Sequence, residues 1–137
     1  MLRLGTDVVY IPRIQSALER FGDRFLQRVY TVGEQRDCGY LKDAPTRPSI
    51  NRLAARWAAK EAVVKALGTG WRGVSYTDIE IRRQSSGAPA VYLYSRAAAK
   101  VAAWGASQWH LSLSHDGDYA TATAILVCPT IDGSPPN

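Results

Sequence analysis

Three observations predict an α+β domain. Residues Ser49 to Leu67 (SINRLAARWAAKEAVVKAL) contain neither glycine nor proline and are rich in Ala, Leu, Lys and Glu, the strongest helix formers. Short runs in the C-terminal half alternate apolar and polar residues, the pattern of half-buried strands. The order of elements, one strand, then helices, then several strands with one helix among them, lacks the regular β-α alternation of a doubly wound parallel sheet.

Taken in order, Leu2 to Ile11 reads as a buried strand interrupted by Gly5-Thr6-Asp7. Pro12 suits the first turn of a helix from about Pro12 to Phe21, with Ile14, Ala17, Leu18 and Phe21 on one face. Gly22-Asp23 weakens or ends it. A second short helical stretch, about Val32 to Leu41, leads into a loop marked by Pro45 and Pro48. Ser49 or Asn51 caps the long helix, and Gly68 follows its last turn as a C′ residue. Tyr76 to Arg83 is expected to be a strand with Thr77, Ile79 and Ile81 on one side and Asp78, Glu80 and Arg82 on the other. Gly87-Ala88-Pro89 precedes another strand running through Tyr94, and Ser95 begins an alanine-rich helix that ends before Gly105. Trp109 to His115 and Tyr119 to Val127 form a hairpin around Asp116-Gly117, a dipeptide that tolerates positive φ. The domain is expected to span residues 1–128, with a disordered tail over 129–137 that holds three prolines and one glycine.

The composition narrows the function classes. With 137 residues, 46% of them hydrophobic and 21% charged, the chain is an ordinary soluble domain. It can bury about two-thirds of its surface without a disulfide or structural metal. No apolar run approaches the ~18 residues of a membrane helix, and no basic n-region with an apolar h-region opens the chain, so membrane insertion and secretion are disfavoured. Cys38 and Cys128 lie far apart without metal-ligand spacing, which fits buried thiols in a reducing cytoplasm. The net charge of +5 calls for an acidic counterpart: nucleic acid, a phosphorylated small molecule or an acidic protein.

Trp57, Glu61 and Lys65 follow one another at i, i+4 and i+8 on the long helix, while Ala59, Ala62, Val63 and Ala66 face the core. Alone, Glu61 and Lys65 read as a surface pair worth about 0.3 to 0.5 kcal/mol. Asp7 changes that reading, because a carboxylate within an apolar strand must end the strand, pair with a cation or bind a metal. Two carboxylates and a lysine suit a divalent cation with a phosphate, since Mg²⁺ takes oxygen ligands and leaves positions to substrate. His110 and His115 differ by an odd number along a strand, so they leave opposite faces and do not share an ion. His115, against the turn, is the accessible one, and His110 is the structural one. A serine next to a histidine in a strand points away from it, which argues against a hydrolase triad at Ser114-His115. Arg13, Arg20, Arg24 and Arg28 would fall within about an 80° arc on an unbroken helix and suit an acidic helical protein. Lys42, Arg47, Arg52 and Arg56 form a second basic set suited to nucleotide phosphates.

These residues resemble a known family, the holo-acyl-carrier-protein synthases, which are small 4′-phosphopantetheinyl transferases. Gly5-Thr6-Asp7-Val8-Val9 with Ile11 and Arg13-Ile14 looks like its N-terminal block. Arg56-Trp57-Ala58-Ala59-Lys60-Glu61-Ala62 with Lys65-Ala66-Leu67-Gly68-Thr69-Gly70 is similar to its R(F/W)xxKEAxxKAxGTG signature, and Leu113-Ser114-His115 with Tyr119-Ala120 to its C-terminal block. The resemblance implies an antiparallel sheet against the long helix, a cytoplasmic trimer with active sites between subunits, and transfer of 4′-phosphopantetheine from coenzyme A to a carrier-protein serine. It implies that Asp7 and Glu61 hold Mg²⁺, that Lys65 binds the diphosphate, and that Glu61, Lys65 and His115 carry the chemistry. Arg56, Gly68, Pro89, Ser114 and His115 would serve the nucleotide and phosphates, with Arg56 at the 3′-phosphate and Pro89 at the adenine. Arg13, Arg24 and Arg28, with Ile14 and Phe25 as apolar anchors, would dock the acyl carrier protein. Tyr10 stands where many members have glutamate.

Two rival readings are a Mg²⁺-dependent diphosphate hydrolase using the same acids, and a basic nucleic-acid module stacking bases on Tyr92, Tyr94, Trp104 and Trp109. Against the second, those aromatics and the arginines lie on separate segments and no RNP-like motif is present.

Overall fold

A 21-residue helix, α4 (Arg47–Leu67), is the element on which everything else packs. The computed structural model describes residues 1–129. The helix begins before Ser49, because Thr46 is the cap. The Thr46 hydroxyl accepts from the Ser49 N–H, and the Ser49 hydroxyl oxygen accepts from the Thr46 N–H, each at 3.2 Å. Ser49 thus completes a capping box rather than starting the helix, and Pro48 sits in the first turn, where no backbone donor is required. Gly68 closes the helix with φ of 79°.

The buried face of α4 is made of small residues, including Ala54, Ala58, Ala62 and Ala66, and so admits a sheet at close range. That sheet has three antiparallel strands in the order β1 (Leu2–Tyr10), β5 (Tyr119–Val127), β4 (Gln108–Asp116). β1 is continuous, not interrupted, and the expected break at Gly5-Thr6-Asp7 is an alternation of faces. Gly5 faces α4 so closely that a Cβ there would lie 1.7 Å from the Ala62 carbonyl oxygen. Val9, Ala120, Ala122, Ala124 and Leu126 share this inner face, while Leu2, Leu4, Val8, Tyr119 and Val127 are exposed on the outer one. In the hairpin Asp116 pairs with Tyr119, so the turn residues are Gly117 and Asp118, one position beyond the expected dipeptide. Of these only Gly117 has positive φ, at 57°.

A two-stranded ribbon, β2 (Ile79–Arg83) with β3 (Pro89–Leu93), lies beside α4. The segment expected to be its first strand starts instead with a 3₁₀ turn, Tyr76–Asp78, where the Asp78 carboxylate accepts from the Ser75 N–H at 2.9 Å. Ile79 and Ile81 are buried as expected, but so is Glu80, whose carboxylate accepts from Thr31, Arg82 and Tyr94. Between β1 and α4 the chain forms α1 (Ile11–Phe21), α2 (Asp23–Val29) and α3 (Val32–Cys38). Gly22, at φ 56° and ψ −129°, breaks the run of four arginines, leaving Arg13 and Arg20 on α1 and Arg24 and Arg28 on α2. The last helix, α5 (Ser95–Ala102), precedes β4. Cys38 and Cys128 are both buried free thiols. Among the described residues no helix is long and apolar enough to cross a membrane. The tail residues 130–137 lie outside the described residues.

Candidate active site

The sequence places Asp7 on the inner face of β1 because it alternates with Gly5 and Val9, and the close approach at Gly5 delivers it to the last turns of α4. Arg3, four residues before Asp7 on the same face, fixes the register. Its guanidinium donates to the carbonyl oxygens of Ala66 and Leu67 at 2.8 and 3.1 Å, satisfying the cationic preference of a helix C-terminus. Lys65 then meets Asp7: its ammonium lies 3.3 Å from the carboxylate and donates to the Thr6 carbonyl at 2.8 Å. The Asp7 side chain is mostly buried (16% exposed), whereas that of Lys65 is half exposed and has room to move.

Glu61 projects from α4 one turn before Lys65. The Tyr76 hydroxyl donates to Glu61 Oε1 at 3.0 Å. Burial raises the phenol of Tyr76 well above its ordinary range, and the carboxylates of Glu61 and, more weakly, Asp7 push the same way, so it is a neutral donor. The Tyr76 ring is stacked between Trp71 (centroids 3.8 Å apart) and Trp57 (4.9 Å), and Trp57 stacks in turn on Phe25 (5.9 Å). Phe21, Arg24, Phe25, Arg28, Trp57 and Tyr76 line a cavity of about 550 Å³ that borders the carboxylate site. Arg24, Arg28 and Phe25 therefore lie together at one opening. Arg13 is exposed on α1, and Ile14 is a correction: only 3% exposed, it packs into the core and cannot anchor a partner.

A separate region uses the first half of α4. Arg56 and Pro89, predicted to serve the same nucleotide, do line one cavity of about 220 Å³, together with Arg82, Arg83 and Gly87. Arg56 is buried, and its Nε has no hydrogen-bond partner among the described residues, an unsatisfied donor beside a cavity. The rest of the second basic set is already engaged. Arg47 pairs with Asp118 at 2.9 Å, Lys42 with Asp23 at 3.8 Å, and Arg52 donates to the Cys38 carbonyl. His115 faces α4 and lines a neighbouring cavity with Asn51 and Arg52, away from the Asp7, Glu61 and Lys65 group. Ser114 points to the opposite, outer face, so within one chain it does not share a ligand surface with His115. His110 is exposed on that outer face rather than buried as a structural residue. Gly68 ends α4 against Arg3, whose Nη2 would lie 2.7 Å from a Cβ placed there. Tyr10 meets Tyr119 on the outer face in a tilted ring pair, with centroids 5.3 Å apart.

Two features of this region were not singled out in the sequence. Tyr76 read as the first residue of a strand, and nothing in its spacing pointed at Glu61. Lys60 did carry a signal. Lys60 falls on the core side of α4 beside Ala59, Val63 and Val64, a position where an ammonium needs a buried partner. The nucleic-acid reading loses its platform here, because Trp104 is buried beneath Arg3 and Tyr94 is tied to Glu80 and Arg82.

Comparison with known proteins identifies the family. The profile of the 4′-phosphopantetheinyl transferase superfamily matches residues 3–124. A holo-[acyl-carrier-protein] synthase of Gloeobacter violaceus is 56% identical over 125 residues, covering 91% of this chain and 92% of that protein. The solved Chronobacterium ammoniagenes ACPS–CoA complex superposes with a TM-score of 0.78 at 34% identity, covering 95% of this chain and 99% of the other. The Helicobacter pylori holo-[acyl-carrier-protein] synthase in complex with coenzyme A gives 0.76 at 29% identity, over 90% and 99% of the two chains.

Proposed function

The chain belongs to the 4′-phosphopantetheinyl transferase superfamily, and from that premise we propose how it works. It transfers the 4′-phosphopantetheine arm of coenzyme A to a serine of an apo acyl carrier protein. The serine oxygen attacks the phosphorus that carries the pantetheine, the bond from that phosphorus to the bridging diphosphate oxygen breaks, and 3′,5′-ADP leaves. The serine proton passes to a base.

The observation that carries this reading is the meeting of Asp7 with Lys65 at 3.3 Å, one helical turn from Glu61. Lys65 can turn from Asp7 to the diphosphate and balance the charge that grows on the leaving group. Glu61 accepts one hydrogen bond, on Oε1, and its Oε2 accepts none among the described residues, leaving an oxygen for a proton or a cation. The donor set fits Mg²⁺: two carboxylates offer the hard oxygen ligands it prefers, and Asp7 and Glu61 would hold it. Once bound, such an ion neutralises diphosphate charge and polarises the phosphoryl oxygen. Arg56, with its unsatisfied Nε, receives the 3′-phosphate, and Pro89 borders the adenine.

His115 and Arg56 stand apart from Asp7, Glu61 and Lys65 in one chain, so the working cleft is shared between copies. What supports a homotrimer is the outer sheet face, where Leu2 (67% exposed), Leu4 and Val8 (61% each) leave apolar side chains of one strand face open to a neighbouring copy. The basic α2 surface, Arg24 and Arg28 around Phe25, docks the acidic carrier, with Arg13 on α1 nearby in sequence.

The deciding experiment incubates the chain with coenzyme A, Mg²⁺ and apo carrier protein and reads intact mass. A gain of about 340 Da on the carrier, the mass of one covalent arm, is the expected result. Cleavage of coenzyme A without carrier modification would instead make the protein a diphosphate hydrolase.

A further inference from the structure

Glu61 has three rotatable side-chain bonds and stands on the half-buried face of a helix, so nothing in α4 itself decides where its carboxylate points. What restrains it is Tyr76, and Tyr76 is itself held at three places. Its carbonyl oxygen accepts from the ammonium of the buried Lys60 at 2.9 Å. Its ring lies between the indoles of Trp57 and Trp71, with interplanar angles of 23° and 28°. The Asp78 side chain closes the 3₁₀ turn that starts at Tyr76. The one group left over is the hydroxyl, and it is spent on Glu61 Oε1.

We infer that Tyr76 is a positioning residue for the transfer: its hydroxyl pins Oε1 of Glu61 and so presents Oε2 to the reacting groups. This rests on the reading of Glu61 as an active carboxylate. Acceptor hydrogen bonds of this kind orient acidic groups in catalytic and metal sites, and an unpinned carboxylate must be ordered in every turnover. The ring and the hydroxyl have separable duties. Through its ring Tyr76 also lines the 550 Å³ cavity with Phe25, Arg28 and Trp57, so losing the whole side chain would disturb partner docking as well. Losing only the hydroxyl leaves the stack and the cavity wall as they were.

The test compares the full-length chain with Tyr76→Phe and Glu61→Gln. Melting temperature shows that each folds. Steady-state kinetics separate kcat from KM for the carrier, and Mn²⁺ added without coenzyme A or carrier is followed by the electron paramagnetic resonance signal of the free ion. Tyr76→Phe is expected to lower kcat and to weaken Mn²⁺ binding by about tenfold each, the low end for partners that orient a metal-site ligand. Its carrier KM stays within about twofold of the parent's, because uniform binding is untouched. A Tyr76→Phe variant equal to the parent in kcat and Mn²⁺ affinity, while Glu61→Gln is inactive, overturns the tether alone. A rise in carrier KM at unchanged kcat overturns it too, and assigns the hydroxyl to docking. A Glu61→Gln chain that still transfers the arm overturns both the tether and the reading beneath it.

Discussion

The Lys60 ammonium lies 2.6 Å from the Glu34 carboxylate, with both side chains wholly removed from solvent. Lys60 also donates to the carbonyls of Val29 and Tyr76, and Glu34 accepts from the backbone N–H groups of Thr31 and Ile81. Five segments, α2, α3, α4, the 3₁₀ turn and β2, thus meet at one pair of charges. Burial pushes the Lys60 pKa down, and Glu34 offsets that only in part.

Removing one charge strands the other. Lys60→Met is expected to cost about 3–5 kcal/mol in urea unfolding, the usual penalty for an orphaned buried charge. The double variant Lys60→Met/Glu34→Gln should recover part of that loss. A Lys60→Met chain as stable as the parent would show that the pair does not tie these segments together.

Glu80 sets an acid limit. Burial alone would raise its pKa, but hydrogen bonds from Thr31, Arg82 and Tyr94 overcome this and hold the carboxyl below its ordinary 4.5. A depressed carboxyl pKa means that the unfolded chain binds the proton first, so Glu80 stabilises the fold above pH 4.5, and this contribution fades as pH falls through the folded-state value. Urea midpoints at pH 7 and pH 3.5 should differ less in Glu80→Gln than in the parent. Equal differences would reject the assignment.

Gly5→Ala tests the seating of β1 on α4. With the new methyl 1.7 Å from the Ala62 carbonyl oxygen, strand and helix must separate, carrying Asp7 away from Lys65. The variant should lose at least about 3 kcal/mol, as severe overpacking does, and with it most transfer activity. A folded variant of parental stability and activity would mean that Asp7 does not depend on this contact.

Arg56→Met addresses the 3′-phosphate. The parent should prefer coenzyme A to dephospho-coenzyme A, and the variant should lose about tenfold of that preference, because a charge-assisted contact is removed. An unchanged ratio would send the phosphate elsewhere.

On the outer sheet face, Val8→Glu should convert a trimer to monomers in light scattering coupled to gel filtration, since a charge would sit within the apolar surface formed by Leu2, Leu4 and Val8. A parent chain that runs as a monomer would remove the basis for a shared cleft.

Much of the molecule was legible before any coordinates. Helix α4, the C-terminal hairpin and the common face of Trp57, Glu61 and Lys65 follow from periodicity and propensity, which act over a few residues and are written locally. Misreadings arose where a side chain answers to distant neighbours. Glu80 was assigned to solvent by strand alternation, yet Thr31 and Tyr94 supply its hydrogen bonds. Ile14 stood among docking residues by resemblance, yet α1 turns it into the core.

The chain's own order of residues determined its superfamily signature, its long helix and the identity of its acids and basic groups, because these depend on composition and short spacings. Only the tertiary structure decided that Asp7 reaches Lys65, that Tyr76 reaches Glu61 and that Lys60 finds Glu34, since each pair joins elements 15 to 58 positions apart. Partners that remote are selected by how strands and helices pack, and packing is a property of the assembled core rather than of any stretch of sequence.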